Sequence, residues 1–472
     1  MAPPKTPEAG SAGPHAHLAG LVQDCAELQQ AARIVVGFSG GVDSTVLLHL
    51  LHDAHAQGRL LAPLHALHVN HMMQAEANQW EAQCRARCAL LDVPFEAVCV
   101  SVVRVAGESL EESARAARHA VFAGALKEGD VLVLAQHRDD QVETVLFRLL
   151  RGSGVAGLAG MPGTRPCGTG LLVRPLLDAS RGELLDFARA AGLQWIEDAS
   201  NADQRFDRNF LRGTIVPLLT GRWPGLAGAV QRSARLSGEA AVLLDELAAL
   251  DVKTAAAPKA EQLRIDALLP LGEARQRNAL RYWLQKLCAR KNWALPTHQV
   301  LECIVADVIP AQADAEPLLT WGEGSNAVEL RRHRGLLYVM APFPPAPGEL
   351  TWFTNDACAL PAPLGALELQ RVEGSGLPRD RMGEVRVRFR SGGEQVKAAG
   401  RATRPLKKIL QDAGIPPWLR ERVPLLYVGN ELVAVADLLV CEGWLSEASE
   451  NRCRVAWRHP DLDCGYPPHL LI

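Results

Sequence analysis

The stretch IVVGFSGGVDSTVLLHLLHDA, beginning at Ile34, restricts the fold more than any other part of the chain. A β-branched apolar run from Ile34 to Phe38 enters the turn Ser39-Gly40-Gly41-Val42-Asp43-Ser44 and leaves it as a helical pattern. The alternation then repeats. Strands are predicted at Leu64 to Val69, Phe95 to Val100 and Val131 to Ala135, with helices from about Glu76 to Leu91, from Glu108 to about Lys127, and from Asp139. Strands alternating with helices of this length predict an α/β fold: a parallel sheet with helices on both faces.

The turn itself carries chemistry. Glycines let the main chain bend sharply and approach an anion with no Cβ in the way. Ser39 and Ser44 add hydroxyl donors, and the following helix offers unpaired N–H groups and the positive end of its dipole. The ligand this suits is a phosphate or pyrophosphate. No lysine follows the glycines and the spacing is not GxGxxG, so neither a Walker A loop nor a dinucleotide turn is present. An acid inside an anion-binding turn makes sense when a cation lies between them, so Asp43 points to Mg2+.

Beyond the turn, the composition divides the chain. Residues 1–30 read as a disordered Pro/Gly/Ala leader and 31–222 as the nucleotide domain, with Gly152 to Gly170 a long glycine-rich loop of the kind that serves active sites. Residues 223–340 read as mainly helical, 341–350 as a Pro-rich linker, and 351–472 as a small α+β domain with strands near Glu384–Phe389, Leu425–Val428 and Leu432–Ala436. The 50 Lys and Arg nearly balance 53 Asp and Glu, so any nucleic-acid surface must be local. Between 381 and 422 eleven basic residues face four acidic ones, which predicts a phosphate-tracking surface that includes Arg404, Lys407 and Lys408. No long apolar run suggests a membrane span, and the 11 scattered cysteines suggest reduced thiols in a cytoplasmic protein.

Ser39 to Ser44 resembles the PP-loop of the N-type ATP pyrophosphatases, which cleave ATP to AMP and pyrophosphate while adenylating a substrate. Four further stretches resemble those of the tRNA(Ile)-lysidine synthetases within that superfamily. They are His68-Val69-Asn70-His71, the stretch AQHRDDQVET from Ala135, Arg151-Gly152-Ser153-Gly154 with its following glycines, and Glu197-Asp198-Ala199-Ser200-Asn201 with Arg208 and Arg212 downstream. The segment from Lys407 through Pro416-Pro417-Trp418 is similar to the terminal domain of the three-domain members. Gln136 and Arg138 depart from the pattern, since relatives often carry a histidine and an apolar residue there.

The resemblance implies a two-step ligation. ATP would adenylate the wobble cytidine of a CAU anticodon on tRNA(Ile), and L-lysine would then displace AMP. ATP and Mg2+ are the implied cofactors, and no membrane is involved. A homodimer is among the expectations. By resemblance Ser39, Gly40, Gly41, Val42, Asp43, Ser44 and His68 bind ATP, with Asp43 on the metal. Asp140 is favoured for lysine, while Asp139 and Glu143 compete for the metal and the amine. Of Arg115 and Arg118, three residues apart, Arg118 is favoured to contact ATP phosphate or tRNA, with Asn201, Arg208 and Arg212 holding the substrate or the anticodon loop. The nearest rival, a PP-loop tRNA thiolase, needs a paired-cysteine motif that Cys84, Cys88 and Cys99 do not make.

Overall fold

A computed structural model describes residues 14–72, 74–102, 110–198, 203–312, 315–354, 356–446 and 451–458. The chain divides into two compact units, residues 1–243 and 244–472.

Six strands form the sheet of the first unit: β1 (Arg33–Gly37), β2 (Leu64–Asn70), β3 (Phe95–Cys99), β4 (Asp130–Val133), β5 (Thr164–Cys167) and β6 (Gly170–Val173). Their order is β3-β2-β1-β4-β6-β5. All neighbours are parallel except the β5–β6 hairpin at one edge. The helices are α1 (Pro14–Gln23), α2 (Ala26–Gln29), α3 (Val42–Ala56), α4 (Ala77–Leu90), α5 (Leu110–Ala125), α6 (Arg138–Leu150), α7 (Val155–Leu158) and α8 (Arg181–Ala190).

Alternation along the strands builds two cores. Ile34, Val36, Val131, Val133 and Val173 pack with α1, α3 and α8 through Leu18, Leu47, Leu51 and Leu184. Val35, Leu67, Leu132 and Leu172 pack on the other face against Phe122 of α5 and Leu126 just past its end. Each such buried side chain is worth about 1.5–3 kcal/mol, which is why register is firmly set here. The chain leaves β1 toward β2 on one side and returns to β4 on the other. The crevice at the carboxyl ends of β1 and β4 is therefore the switch point where ligands of open α/β sheets bind.

Two expectations need correction in this unit. The leader is ordered from Pro14: Leu18, Val22 and Leu28 are fully buried, because α1 and α2 cover the apolar surface of α3 and α8. The span Gly152 to Gly170 is not one open loop, since it holds α7 and β5. Arg148 fastens it by donating to the carbonyls of Gly157 and Gly160 at 2.9 and 2.6 Å.

The second unit carries a helix, Glu273–Lys291, whose Leu280, Trp283, Leu284 and Leu287 pack on a four-stranded antiparallel sheet. The strands, in spatial order, are Gln262–Arg264, Leu336–Met340, Val328–His333 and Leu318–Trp321. Residues 223–340 are thus less purely helical than the sequence predicts. The last part of the chain forms a five-stranded and a four-stranded antiparallel sheet around Leu367, Val385, Leu406, Leu425 and Val455. Among the described residues no helix is long and apolar enough to cross a membrane.

Candidate functional site

The turn after β1 is built as its residue types require. Gly40 has φ +82, and a Cβ there would lie 2.5 Å from Ile196 Cδ1 and 2.7 Å from Cys84 Sγ. Only glycine fits. The Gly40 carbonyl accepts from the Ile196 N–H at 2.9 Å, tying the turn to the segment after α8. Gly41 is the N-cap of α3, so the free N–H groups of that helix open onto the turn. Ser39 and Ser44 share a hydrogen bond of 3.0 Å between their hydroxyls, and Ser44 also donates to the Gly41 carbonyl at 3.1 Å.

Asp43, in the first turn of α3, leans toward β4. Its Oδ2 lies 3.7 Å from Nε2 of His137, a fully buried ring at the N-cap of α6. The same nitrogen lies 3.5 Å from Asp140 Oδ2, and Nδ1 lies 3.6 Å from Asp139 Oδ2. Burial opposes charge on this ring, but Asp139, Asp43 and Asp140 outweigh it and hold the imidazole pKa up at about 9. Asp139 is pulled down to about 2, chiefly by its contact with His137 and against the effect of burial, with help from the Arg181 N–H donated to it at 2.9 Å. Asp139 thereby ties α6 to the start of α8.

Two atoms at this junction are buried without a hydrogen-bond partner: Asp43 Oδ1 and His137 Nε2. Unsatisfied buried polar atoms are costly, so a pair of them beside an anion turn marks where a ligand makes contact. Among the described residues no group of three or more His, Cys, Asp or Glu could hold a metal on its own. A single carboxylate with one idle oxygen fits Mg2+ instead, which takes one or two carboxylates and completes its shell with water and substrate phosphate.

Asp140 and Glu143 lie deeper and are already paired. Arg212 reaches Asp140 Oδ1 at 2.8 Å and Glu143 Oε1 at 2.5 Å, while Arg208 reaches Asp140 Oδ1 at 3.1 Å and Glu143 Oε2 at 2.9 Å. The acids are buried and the guanidiniums about 30% exposed (31% and 29%). Burial works against charge on Arg212, but Glu143, Asp140 and Asp43 outweigh it and raise its pKa. Arg208 sits in a short helix, Asp207–Phe210, and Arg212 in the π-turn Leu211–Ile215 that continues it. The arginines expected to face tRNA are thus turned onto the acids expected to face lysine.

His68 is buried, and its ring Nδ1 is 2.8 Å from the Phe38 carbonyl, so it locks β2 to the end of β1. His71, three residues on, has a buried Nδ1 without a partner. Burial lowers its pKa, and Arg118 beside it adds to the effect. Arg115 is exposed and Arg118 half-buried on α5. His119, next to Arg118, is pushed down to about 4 by burial first, then by Arg165, Arg115, Arg118 and Arg174. Gln136 accepts from Arg174 Nε at 2.9 Å, and Arg138 approaches Glu183 at 3.7 Å, so both departures from the family pattern have partners. Asn201 lies outside the described residues.

In the second unit the basic segment is largely spent on its own surface. Arg388 pairs with Glu349, Arg390 with Glu394, Lys397 with Glu442 and Arg404 with Asp412. Arg422 donates to the Pro344 and Trp418 carbonyls. Arg401, Lys407 and Lys408 are exposed. The cysteines offer no sulfur chemistry near the turn: Cys84 and Cys88 are buried, which pushes their thiols up to about 12 and about 11, and every described cysteine is free.

Fold and turn together define a PP-loop ATP-binding protein, and the family model described as "PP-loop domain" matches residues 15–219. Models described as "TilS substrate binding domain" and "TilS substrate C-terminal domain" match residues 263–338 and 385–457. The tRNA(Ile)-lysidine synthase of Coxiella burnetii is 39% identical over 434 residues, covering 91% of this chain and 94% of that one. The enzyme of Pseudomonas fluorescens is 43% identical over 446 residues, with the same coverage of 91% and 94%. This chain belongs to the tRNA(Ile)-lysidine synthase family.

Proposed function

We propose that the protein joins L-lysine to C2 of the wobble cytidine in the CAU anticodon of tRNA(Ile), through an adenylated cytidine, releasing AMP and pyrophosphate. The observation that carries this reading is the idle Asp43 oxygen and His137 nitrogen, set between the anion turn and the acid pair Asp140 and Glu143.

In the first step the cytidine C2 oxygen attacks the α-phosphorus of ATP and pyrophosphate leaves. The N–H groups at the start of α3 and the Ser39 and Ser44 hydroxyls stabilise negative charge on the departing oxygens. Asp43 would hold Mg2+, whose chemistry here is to neutralise charge on the same phosphates. His137 keeps Asp43 and Asp140 at fixed spacing, and Arg118 would meet phosphate.

In the second step the lysine ε-amine forms a bond to C2, the C2–oxygen bond breaks, and AMP departs with that oxygen. The ammonium must first lose a proton, and Asp140 is favoured to bind it and Glu143 to assist. Both acids are occupied, so the amine has to displace a guanidinium; Arg208 is the more exposed of the two. Lys407 and Lys408 give tRNA phosphate a purchase outside the catalytic unit. The reading also puts the protein in the cytoplasm and allows a homodimer, which light scattering checks.

The test is incubation with ATP, labelled lysine and tRNA(Ile), followed by nuclease digestion and nucleoside analysis. A lysine-bearing cytidine with stoichiometric AMP is expected. AMP formation without labelled nucleoside would overturn the assigned acceptor, and absence of both would overturn the reading.

A further inference from the structure

A cavity of about 370 Å3 lies in the first unit, between α4 and the segment that follows α8. Of the residues given a role above, only Gly40 borders it, so the cavity backs onto the nucleotide turn without being part of the acid cluster. Its volume is that of a small-ligand site.

The floor is apolar and fixed. Phe38 and Cys84 are buried there, and the Gly40 main chain is packed so closely on Cys84 and Ile196 that it admits no Cβ. The wall that carries Trp195 and Ile196 is bonded to the turn itself, through the Ile196 N–H and the Gly40 carbonyl. Half-buried Trp195 supplies a flat ring to this wall.

The rim is polar. Gln83 and Arg87 come from one face of α4, four residues apart, and Gln194 comes from the opposite side. Among the described residues none of these three side chains has a hydrogen bond or an ion pair. Arg85 on the same helix shows the contrast, since it is held by Glu81 at 3.0 Å. No carboxylate borders the cavity, so half-buried Arg87 carries a charge that nothing in the wall answers. A guanidinium without a counter-ion, a flat ring and two amides that both donate and accept make a receptor for a planar, hydrogen-bonding ring that carries an anion.

We propose that this cavity is a regulatory site for a nucleoside monophosphate, AMP, with the base on Trp195, its edge at the Gln83 and Gln194 amides and its phosphate on Arg87. The choice of AMP rests on the proposed function, whose reaction releases it. A ligand in this position touches the reverse of the turn and the segment bonded to it, so its occupancy couples to ATP binding. Such coupling is reciprocal: ATP and AMP shift each other's affinity by the same factor.

Equilibrium dialysis of the full chain against labelled AMP is the test. The wild type is expected to bind one equivalent more than Arg87→Glu, and the milder Arg87→Gln should show the same loss. Trp195→Ala should lose that equivalent too, whereas Trp195→Phe, which keeps a flat ring, retains it. Adenosine lacks the phosphate and ribose 5-phosphate lacks the base, so each should displace the equivalent about tenfold less well than AMP. ATP binding by the Arg87 variants, measured without AMP, should match the wild type and so separates loss of the site from loss of the fold. Equal stoichiometry and affinity in the wild type and both Arg87 variants overturns the proposal. Displacement by adenosine or by ribose 5-phosphate as effective as by AMP does the same. Dialysis needs neither tRNA nor lysine, so an inactive protein that keeps the extra equivalent would sink the ligation and spare the cavity, and an active one without it would do the reverse.

Discussion

The two units handle charge in opposite ways. In the first, acids and bases from distant parts of the chain are drawn inward: Asp43 and His137, then Asp140 and Glu143 with Arg208 and Arg212, meet at the carboxyl ends of β1 and β4. In the second, a sequence-local excess of arginine and lysine is dispersed over neighbouring acids and carbonyls, and many of its cations are already paired. Charge counted along a sequence is therefore not charge presented to a ligand. What matters is which cations lack a nearby partner.

That contrast can be attacked where it is strongest. Asp43→Ala removes the acid of the turn while leaving its glycines, and ATP–pyrophosphate exchange should fall by about 10³-fold. Exchange at wild-type rate would take the turn's acid out of the chemistry. Next in size, Glu143→Gln leaves two guanidiniums facing one carboxylate in a largely buried site. It should lower unfolding stability in urea by roughly 2–4 kcal/mol, and a change within error would mean the ion cluster is not holding the unit together.

In the second unit the Lys407→Glu, Lys408→Glu double variant should weaken tRNA binding by about tenfold and flatten its salt dependence by roughly two charges. Lys397→Glu serves as the comparison: its partner is Glu442, and it should weaken tRNA binding much less. If the two behave alike, the lack of a nearby partner is the wrong criterion. The smallest effect concerns His119. Its pKa near 4 lies below the ordinary 6.5, so the unfolded chain takes up a proton first as pH falls. The stability this neutral ring contributes is complete above pH 6.5 and is lost progressively between about 6.5 and 4. Thermal melts of His119→Gln should show a shallower loss over that window.

The fold of the first unit was legible because its signals are local. Four short apolar runs, each followed by a helical pattern, are enough to predict a parallel sheet, and the turn at Ser39–Ser44 locates the ligand end. The β5–β6 hairpin was not legible, since its strands are four residues each and sit among glycines. Nor was the order of α1, where Leu18 and Val22 form only two turns' worth of apolar face in a Pro/Gly-rich context. Strands as short as Gln262–Arg264 and Leu318–Trp321 leave little period-two pattern, which hid the sheet of residues 262–340.

Within the site, the residue types were readable and their pairing was not. Spacing cannot reveal that Arg208 and Arg212 fold back onto Asp140 and Glu143, because that contact depends on where α6 and the π-turn meet. His137 received no role from the sequence, because histidine is not among the residue types that usually cap a helix start. A count along the basic segment could not show its pairing, because partners such as Glu349 and Glu442 lie outside the window in which the count was made.

One ring, His137, measures out the distances among three acids belonging to different helical positions, like a spacer among magnets of one pole. Swap it for anything smaller or uncharged and the three carboxylates lose the one cation they share, leaving Asp139 with the Arg181 N–H and Asp140 with its two arginines. Asp43 would then lose its tie to the start of α6, which runs through a single five-membered heterocycle.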